Sequence, residues 1–249
     1  MNIIERDKRI KLDINRHIYI IDETEEYIST TTFIKLFFPK FDSEKIIDNW
    51  MKNEQKWLSN KYYGKTKEMI LELWDNNCKI SCSLGSLLHN SIELYYKNEL
   101  DNIPKEIEKE FNYFLNFNEN EIKLNNKILF KTEWSIFDEE YKIAGSIDVI
   151  YTDNNQKYYI YDWKRTNKIK YNNFYQQGLY PCHLLDNCNY NHYSLQLNIY
   201  KYILEKNYNI IIESMNLVYL HPDESNYKIE TIPNLQSCID KMFYHYKNK

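Results

Sequence analysis

A chain of 249 residues, 43% hydrophobic and 27% charged, carries enough apolar material for a well-buried core and falls outside the disordered class. Its formal charge of −4 argues against a protein that coats nucleic acid through a broad basic surface, while leaving room for a local basic groove beside acidic metal ligands. No apolar run reaches the roughly 20 residues of a membrane span, and MNIIERDKRIKLDINRH contains no signal-like apolar stretch, so a soluble intracellular protein is expected.

With 4 glycines and 5 prolines, no segment has the composition of a long linker. A single domain over 1–249 is therefore expected: a mostly helical part over 1–80, a core over 81–222, and a closing strand and helix over 223–249. Five cysteines without a secretory signal read as reduced thiols. Cys78 and Cys82 have a spacing compatible with zinc, but Cys182 and Cys188 do not match a common knuckle.

In chain order, 17–22 alternates as a strand, and Thr30-Thr31-Thr32 before FIKLFF reads as a strand end or cap leading into a short helix. A helix from 41 through Trp57 follows, since Asp42 or Ser43 can cap and Ile46, Ile47, Trp50 and Met51 recur at helical spacing. Residues 66–77 repeat that pattern. A third helix spans 83–97, with His89 and Glu93 on one face, and a fourth lies around 106–117. The period then changes. β-branched and aromatic runs at 128–137, 141–152 and 157–163, joined by short polar turns, predict three consecutive antiparallel strands. An amphipathic helix over 193–207, an apolar strand over 210–220 and a helix over 235–246 complete a mixed α/β (α+β) sheet flanked by helices.

The chemistry concentrates in GSIDVIYTDNNQKYYIYDWKR. Asp148 lies in one predicted strand; Asp162 and Lys164 lie in the next, two residues apart and so on one face. Converging carboxylates suit a hard cation such as Mg²⁺ or Mn²⁺, which takes oxygen ligands, waters and a substrate phosphate. A lysine beside it can orient or deprotonate the bound water or offset charge on the phosphate, its own pKa lowered by the cation. Taken alone, an Asp-x-Lys pair is more often a solvated strand end or a salt bridge.

Its company changes that reading. GxxD (Gly145 to Asp148), DxK (Asp162 to Lys164) and QxxxY (Gln196 to Tyr200), with GxxxH (Gly85 to His89) upstream, stand in the order seen in RecB-like PD-(D/E)XK nucleases, which the chain resembles. The set, spanning roughly half the chain, is also similar to that of CRISPR-associated RecB-like exonucleases, of the mitochondrial genome maintenance exonuclease and of chains encoded by large DNA viruses. Two of the four glycines occupy the motif positions that call for them.

The resemblance implies a restriction-endonuclease-like core, helix, three strands, helix, strand, under a helical N-terminal cover. It implies a Mg²⁺- or Mn²⁺-dependent DNA nuclease of repair, recombination or replication, exonuclease rather than endonuclease, located in the host cytoplasm or a viral factory if the source is viral. His89, Asp148, Asp162 and the carbonyl of Trp163 would bind metal, and Lys164 would be catalytic together with Asp148 and Asp162. Gln196 and Tyr200, one helical turn apart, would face DNA or the metal shell. Arg165, Lys168 and Lys170 would contact phosphates, the alternative being a solvated loop. Glu93 would orient His89, unless it is a plain surface neighbour, and Glu133 is a weaker acidic candidate. On its own, His89 reads as a packed helix-face histidine.

The iron–sulfur branch places three cysteines after the core, whereas only Cys238 lies beyond the QxxxY helix here, so no cluster is expected. Without a Walker motif, any helicase or replication partner would be a separate chain. The expected substrate is DNA, single-stranded or at duplex ends, threaded past the aromatic-rich 50–74 region, with no membrane partner. Two rivals stand beside this: a catalytically inactive nucleic-acid-binding or assembly module of the same fold, and an RNA-directed nuclease.

Overall fold

The computed structural model describes residues 3–14, 16, 18–166 and 168–248. The chain divides into two compact units, Met1–Pro39 with Leu88–Lys249, and Lys40–Leu87.

The described residues before Thr30 are mostly strand, including the one expected over 17–22, within a part expected to be mostly helical. A short helix α1 (Ile3–Asp7) leads into three antiparallel strands, β1 (Ile10–Asp13), β2 (Ile18–Ile21) and β3 (Thr24–Ser29). His17, expected to open the strand at 17–22, lies outside the described residues. Ile10, Tyr19 and Ile21 turn inward here, onto Phe137 and Ala144, with Tyr27 packed beside them, and the exposed Lys11, Glu25 and Glu26 dilute the period-2 signal. Helix α2 (Thr30–Lys35) starts where the threonines suggested, with the Ser29 hydroxyl accepting the Thr32 N–H at 3.1 Å.

In the smaller unit, α3 (Ser43–Lys52) is capped by Asp42 and stops at Asn53, whose extended backbone and side chain cap α4 (Glu54–Leu58). The single helix expected through Trp57 is thus two. Trp50 and Tyr62 stack, and the Trp74 indole donates to the Tyr62 hydroxyl at 2.8 Å, so these aromatics serve first to pack one another. The two helices expected over 66–77 and 83–97 are one, α5 (Lys67–Lys97). The Asn, Ser and Cys residues between them lower helix propensity, but no proline interrupts the hydrogen-bond ladder.

In the larger unit, α6 (Glu108–Phe117) precedes β4 (Ile128–Asp138), β5 (Ile143–Thr152) and β6 (Tyr158–Lys164), antiparallel neighbours as the hairpin spacing predicts. Helix α7 (Asn189–Asn207) crosses to β7 (Ile212–Tyr219), which runs parallel to β6, as a helical crossover permits. β8 (Lys228–Thr231) pairs antiparallel with β7, and α8 (Gln236–Lys247) follows. On one face, α2, α7 and α8 bury Phe33, Leu195, Ile199, Met242 and Phe243 against Ile147, Ile160 and Leu217. On the other, Phe114 and Phe117 of α6 meet the edge of the Trp163 ring. The result is a mixed sheet with helices on both faces.

Two features of this sheet matter for chemistry. One edge of β5 pairs with β4 along most of its length, while the other is shared: β3 pairs in parallel with Ile143 and Ala144, and β6 pairs with Val149 through Thr152. Between them, among the described residues, positions 145–148 of that edge have no strand partner, and the sheet opens there. Secondly, α1 grips β4. The Asp7 carboxylate accepts the Trp134 indole N–H at 2.6 Å and pairs with Lys131, while Arg6 donates to Glu139 and to the Phe137 carbonyl.

Gly145, in the open stretch, has no room for a side chain. A Cβ there would lie 2.5 Å from Cε1 of Tyr200 and 2.8 Å from Oγ1 of Thr30, whereas one at Gly85 would meet nothing within 4 Å. Gly145→Ala is therefore expected to destabilise the protein by about 1–3 kcal/mol through overpacking. Gly85→Ala, inside a helix, should leave stability unchanged or raise it by up to about 1 kcal/mol. Urea denaturation of the two variants checks this contrast, and equal midpoints would refute it.

Candidate metal centre

The open stretch of β5 ends at Asp148. Where a ladder bond to β6 would continue, its carboxylate takes over, with Oδ2 accepting the backbone N–H of Trp163 at 2.7 Å. The carbonyl of the same residue, Trp163, lies 3.1 Å from Nε2 of His89 on α5. The other ring nitrogen, Nδ1, lies 3.5 Å from Oδ1 of Asp148 and 3.8 Å from Oε1 of Glu133 on β4. One ligand atom from each of His89, Glu133 and Asp148 lies within 4.8 Å of the others, a group able to hold a divalent cation.

Asp162 and Lys164 share a face of β6, as their spacing predicts, and form an ion pair with each other. The ammonium also sits 4.8 Å from the centre of the Tyr193 ring on α7. Asp162, ion-paired with Lys164, is not among the three residues whose ligand atoms converge, and Glu133 is the third member of that group. Glu133 was the weak candidate because an isolated acid in a strand carries no motif. Its backbone φ of 44° is left-handed, which is rare outside glycine, and it lies directly across from the open stretch of β5.

The electrostatics are those of an acidic pocket held together by two cations. Burial disfavours charge on His89, but the Asp148 carboxylate and contacts with Asp148 and Glu133 outweigh it and raise its pKa to about 10. Burial opposes ionisation of Asp148 too, yet His89, Lys164 and the Trp163 N–H hold its pKa below the usual value. Burial, reinforced by neighbouring carboxylates, raises Glu133, and burial pushes Asp162 up to about 6. Lys164 was expected to have its pKa lowered by a bound cation. In the protein alone, burial does act that way, but Asp162 and Asp148 outweigh it and the pKa is raised.

These observations fit a divalent cation. The converging donors are two carboxylates and one imidazole; carboxylate oxygens suit hard ions and an imidazole suits first-row transition ions. Among the described residues, the cationic groups facing the carboxylates of Glu133, Asp148 and Asp162 are His89, when protonated, and the ammonium of Lys164. Oδ2 of Asp162 is buried and faces that ammonium without a well-directed hydrogen bond.

The remaining expected site residues are placed differently. Tyr200 is buried, its hydroxyl accepting from the Gln196 amide at 2.8 Å, and its ring fills the space above Gly145. Arg165 is held by the buried Glu110 at 2.8 Å, an arrangement that turns it away from solvent. Lys168 and Lys170 are exposed. Glu93 pairs with Lys97 at 2.6 Å. Among the described residues no helix is long and apolar enough to cross a membrane. Cys182 and Cys238 have sulfurs 3.8 Å apart, and Cys78 and Cys82 form a separate pair at 4.0 Å.

Comparison with known proteins adds little to this picture. No family model matches the chain, and no curated protein does. Among solved structures it is similar to that of SSO0001, with 16% identity over 90% of this chain and 76% of that one and a TM-score of 0.40. It is also similar to that of a "putative exonuclease" from Eubacterium rectale, with 11% identity over 90% of this chain and 82% of that one and a TM-score of 0.49.

Proposed function

We propose that this protein is a divalent-metal-dependent nuclease that hydrolyses phosphodiester bonds in DNA, acting as an exonuclease of the PD-(D/E)XK type. The observation that carries the reading is the convergence of His89, Glu133 and Asp148 at the opening in the sheet, with Lys164 on the adjoining strand. His89 through Nδ1, Glu133 and Asp148 would hold Mg²⁺ or Mn²⁺, with the Trp163 carbonyl at Nε2 of His89, where it can orient the ring. Such an ion, when bound, acidifies a water for attack on phosphorus and neutralises charge on the phosphate oxygens.

The chain's own groups have separable tasks. Asp148 accepts the Trp163 N–H through Oδ2, which anchors the end of β6 and leaves Oδ1 facing His89. Asp162 and the Tyr193 ring hold the Lys164 ammonium in place, positioned to donate to a phosphate oxygen or to a water. Tyr200 and Gln196 brace β5 from the helix side, which keeps Gly145 and Asp148 in register.

End-labelled single-stranded, duplex and covalently closed circular DNA, digested with Mg²⁺ or Mn²⁺ beside an EDTA control and matched RNA, tests the proposal. Metal-dependent loss of linear DNA with circles spared is the expected result. Cleavage of circles would make the enzyme an endonuclease, and preference for RNA would redirect its substrate. DNA binding without cleavage in any metal would leave an inactive binding module.

A further inference from the structure

Beyond the metal centre, the carboxyl ends of β6 and β7 border a pocket of about 360 Å³, lined in part by Thr166, Lys168, Tyr171, Tyr219, Lys228 and Glu230. Crevices outside the carboxyl ends of parallel strands are where open α/β sheets bind ligands, because the loops leaving those strands supply polar groups without breaking the sheet. This pocket adjoins the centre through the backbone: Tyr219 is the ladder partner of Lys164, and Thr166 lies two residues further on.

Its groups are held in place. Oε2 of Glu230 accepts from the hydroxyls of both Tyr171 (2.9 Å) and Tyr219 (2.8 Å), while Oε1 has no hydrogen-bond partner among the described residues. The Tyr171 ring is 55% exposed and lies 5.0 Å from that of Tyr190 on α7, one turn before the Tyr193 that contacts Lys164. Asn189 fixes the intervening chain, donating to the Lys168 carbonyl at 3.1 Å and accepting the Lys170 N–H at 2.8 Å. Lys228 is engaged by Glu224 at 2.7 Å, but Lys168 is exposed and has no ion pair among the described residues.

An exposed ring with fixed orientation, a carboxylate oxygen open to a donor, and an unpaired ammonium complement the three parts of a nucleotide: base face, amino group and phosphate. The volume lies within the range of small-ligand sites. We propose that this pocket takes one unpaired nucleotide of the substrate strand, next to the phosphate at the metal centre. The base stacks on Tyr171, a phosphate meets Lys168, and Glu230 accepts from the amino group of cytosine or adenine, where thymine would present a carbonyl oxygen. This rests on the nuclease reading for the identity of the substrate and deepens it: a base enters only when unpaired, so the substrate is single-stranded DNA or a frayed end.

The test is fluorescence anisotropy with labelled oligo-dC, oligo-dA and oligo-dT in EDTA, since no pocket residue belongs to the metal group. Wild-type protein should bind oligo-dC and oligo-dA about tenfold more tightly than oligo-dT. Tyr171→Ala should weaken binding of oligo-dC about tenfold, and Tyr171→Phe, which keeps the ring, much less. Glu230→Gln should erase the preference over oligo-dT. Equal affinities of wild type and Tyr171→Ala for oligo-dC would overturn the pocket. Digestion with Mg²⁺ or Mn²⁺ separates the two ideas: cleavage with binding insensitive to Tyr171 removes the pocket alone, whereas ring-dependent binding without cleavage removes the nuclease and keeps the pocket.

Discussion

Lys164→Ala should lower DNA cleavage by at least about a hundredfold, the lower bound for a positioned proton donor or acceptor, while DNA affinity stays close to that of the wild type. The lysine is the one cation in the centre carried on a flexible stem, and its ammonium is held between Asp162 and the face of Tyr193. Removing it leaves Asp162 buried beside Asp148, but a carboxyl already pushed up to about 6 can take a proton and so escape an uncompensated charge. The fold should therefore survive, which thermal unfolding monitored by circular dichroism would verify. Lys164→Arg separates the roles: if only positive charge matters, it retains much of the activity, and if a proton must move, it does not, because guanidinium does not titrate in this range. Cleavage by Lys164→Ala within tenfold of wild type would remove this residue from the mechanism.

Glu133→Gly should abolish metal-dependent cleavage without lowering stability in EDTA. Two terms favour the folded variant. The left-handed backbone at φ 44° costs a residue with a Cβ about 1–2 kcal/mol, which glycine avoids, and a half-buried carboxyl with a raised pKa leaves the acidic cluster. Against them stands the greater freedom of glycine in the unfolded chain, about 0.5–1 kcal/mol. The balance predicts unchanged stability or a gain of up to about 1 kcal/mol, measured by urea denaturation. Loss of activity together with stability would mark Glu133 as structural. Loss of activity alone means that this strained acid is kept for the ion it holds, as strained residues at functional sites often are.

What the sequence made legible follows from periodicity and spacing. Three β-rich runs between short polar turns announced β4, β5 and β6, and the two-residue interval between Asp162 and Lys164 was enough to put both on one face. Less legible were features set by tertiary contacts. Glu133 looks like any acid alternating along a strand, and its role depends on a left-handed turn of the backbone that no residue type near it signals. Arg165 follows Lys164 in sequence and so suggested a phosphate contact, but just past the end of β6 its guanidinium pairs with the buried Glu110. β1 and β3 escaped notice because they pack on a small core of a few apolar residues, too few to establish a period. The continuity of α5 was hidden by polar residues that a long helix tolerates once both of its ends are formed.

The parallel pairing of β3 with β5 also shapes the order in which this chain can fold. β3 adds to β5 through Ile28 and Ser29, whose partners Ile143 and Ala144 emerge far later from the ribosome. During synthesis, the N-terminal strands must wait with one edge unsatisfied, the exposed state in which strands recruit the wrong neighbour. The charged side chains along that segment, Lys11, Glu23, Glu25 and Glu26, are of the kind that keeps an unpaired strand edge from recruiting a neighbour, and in the folded chain Glu25 pairs with Arg16 and Glu26 with Lys142.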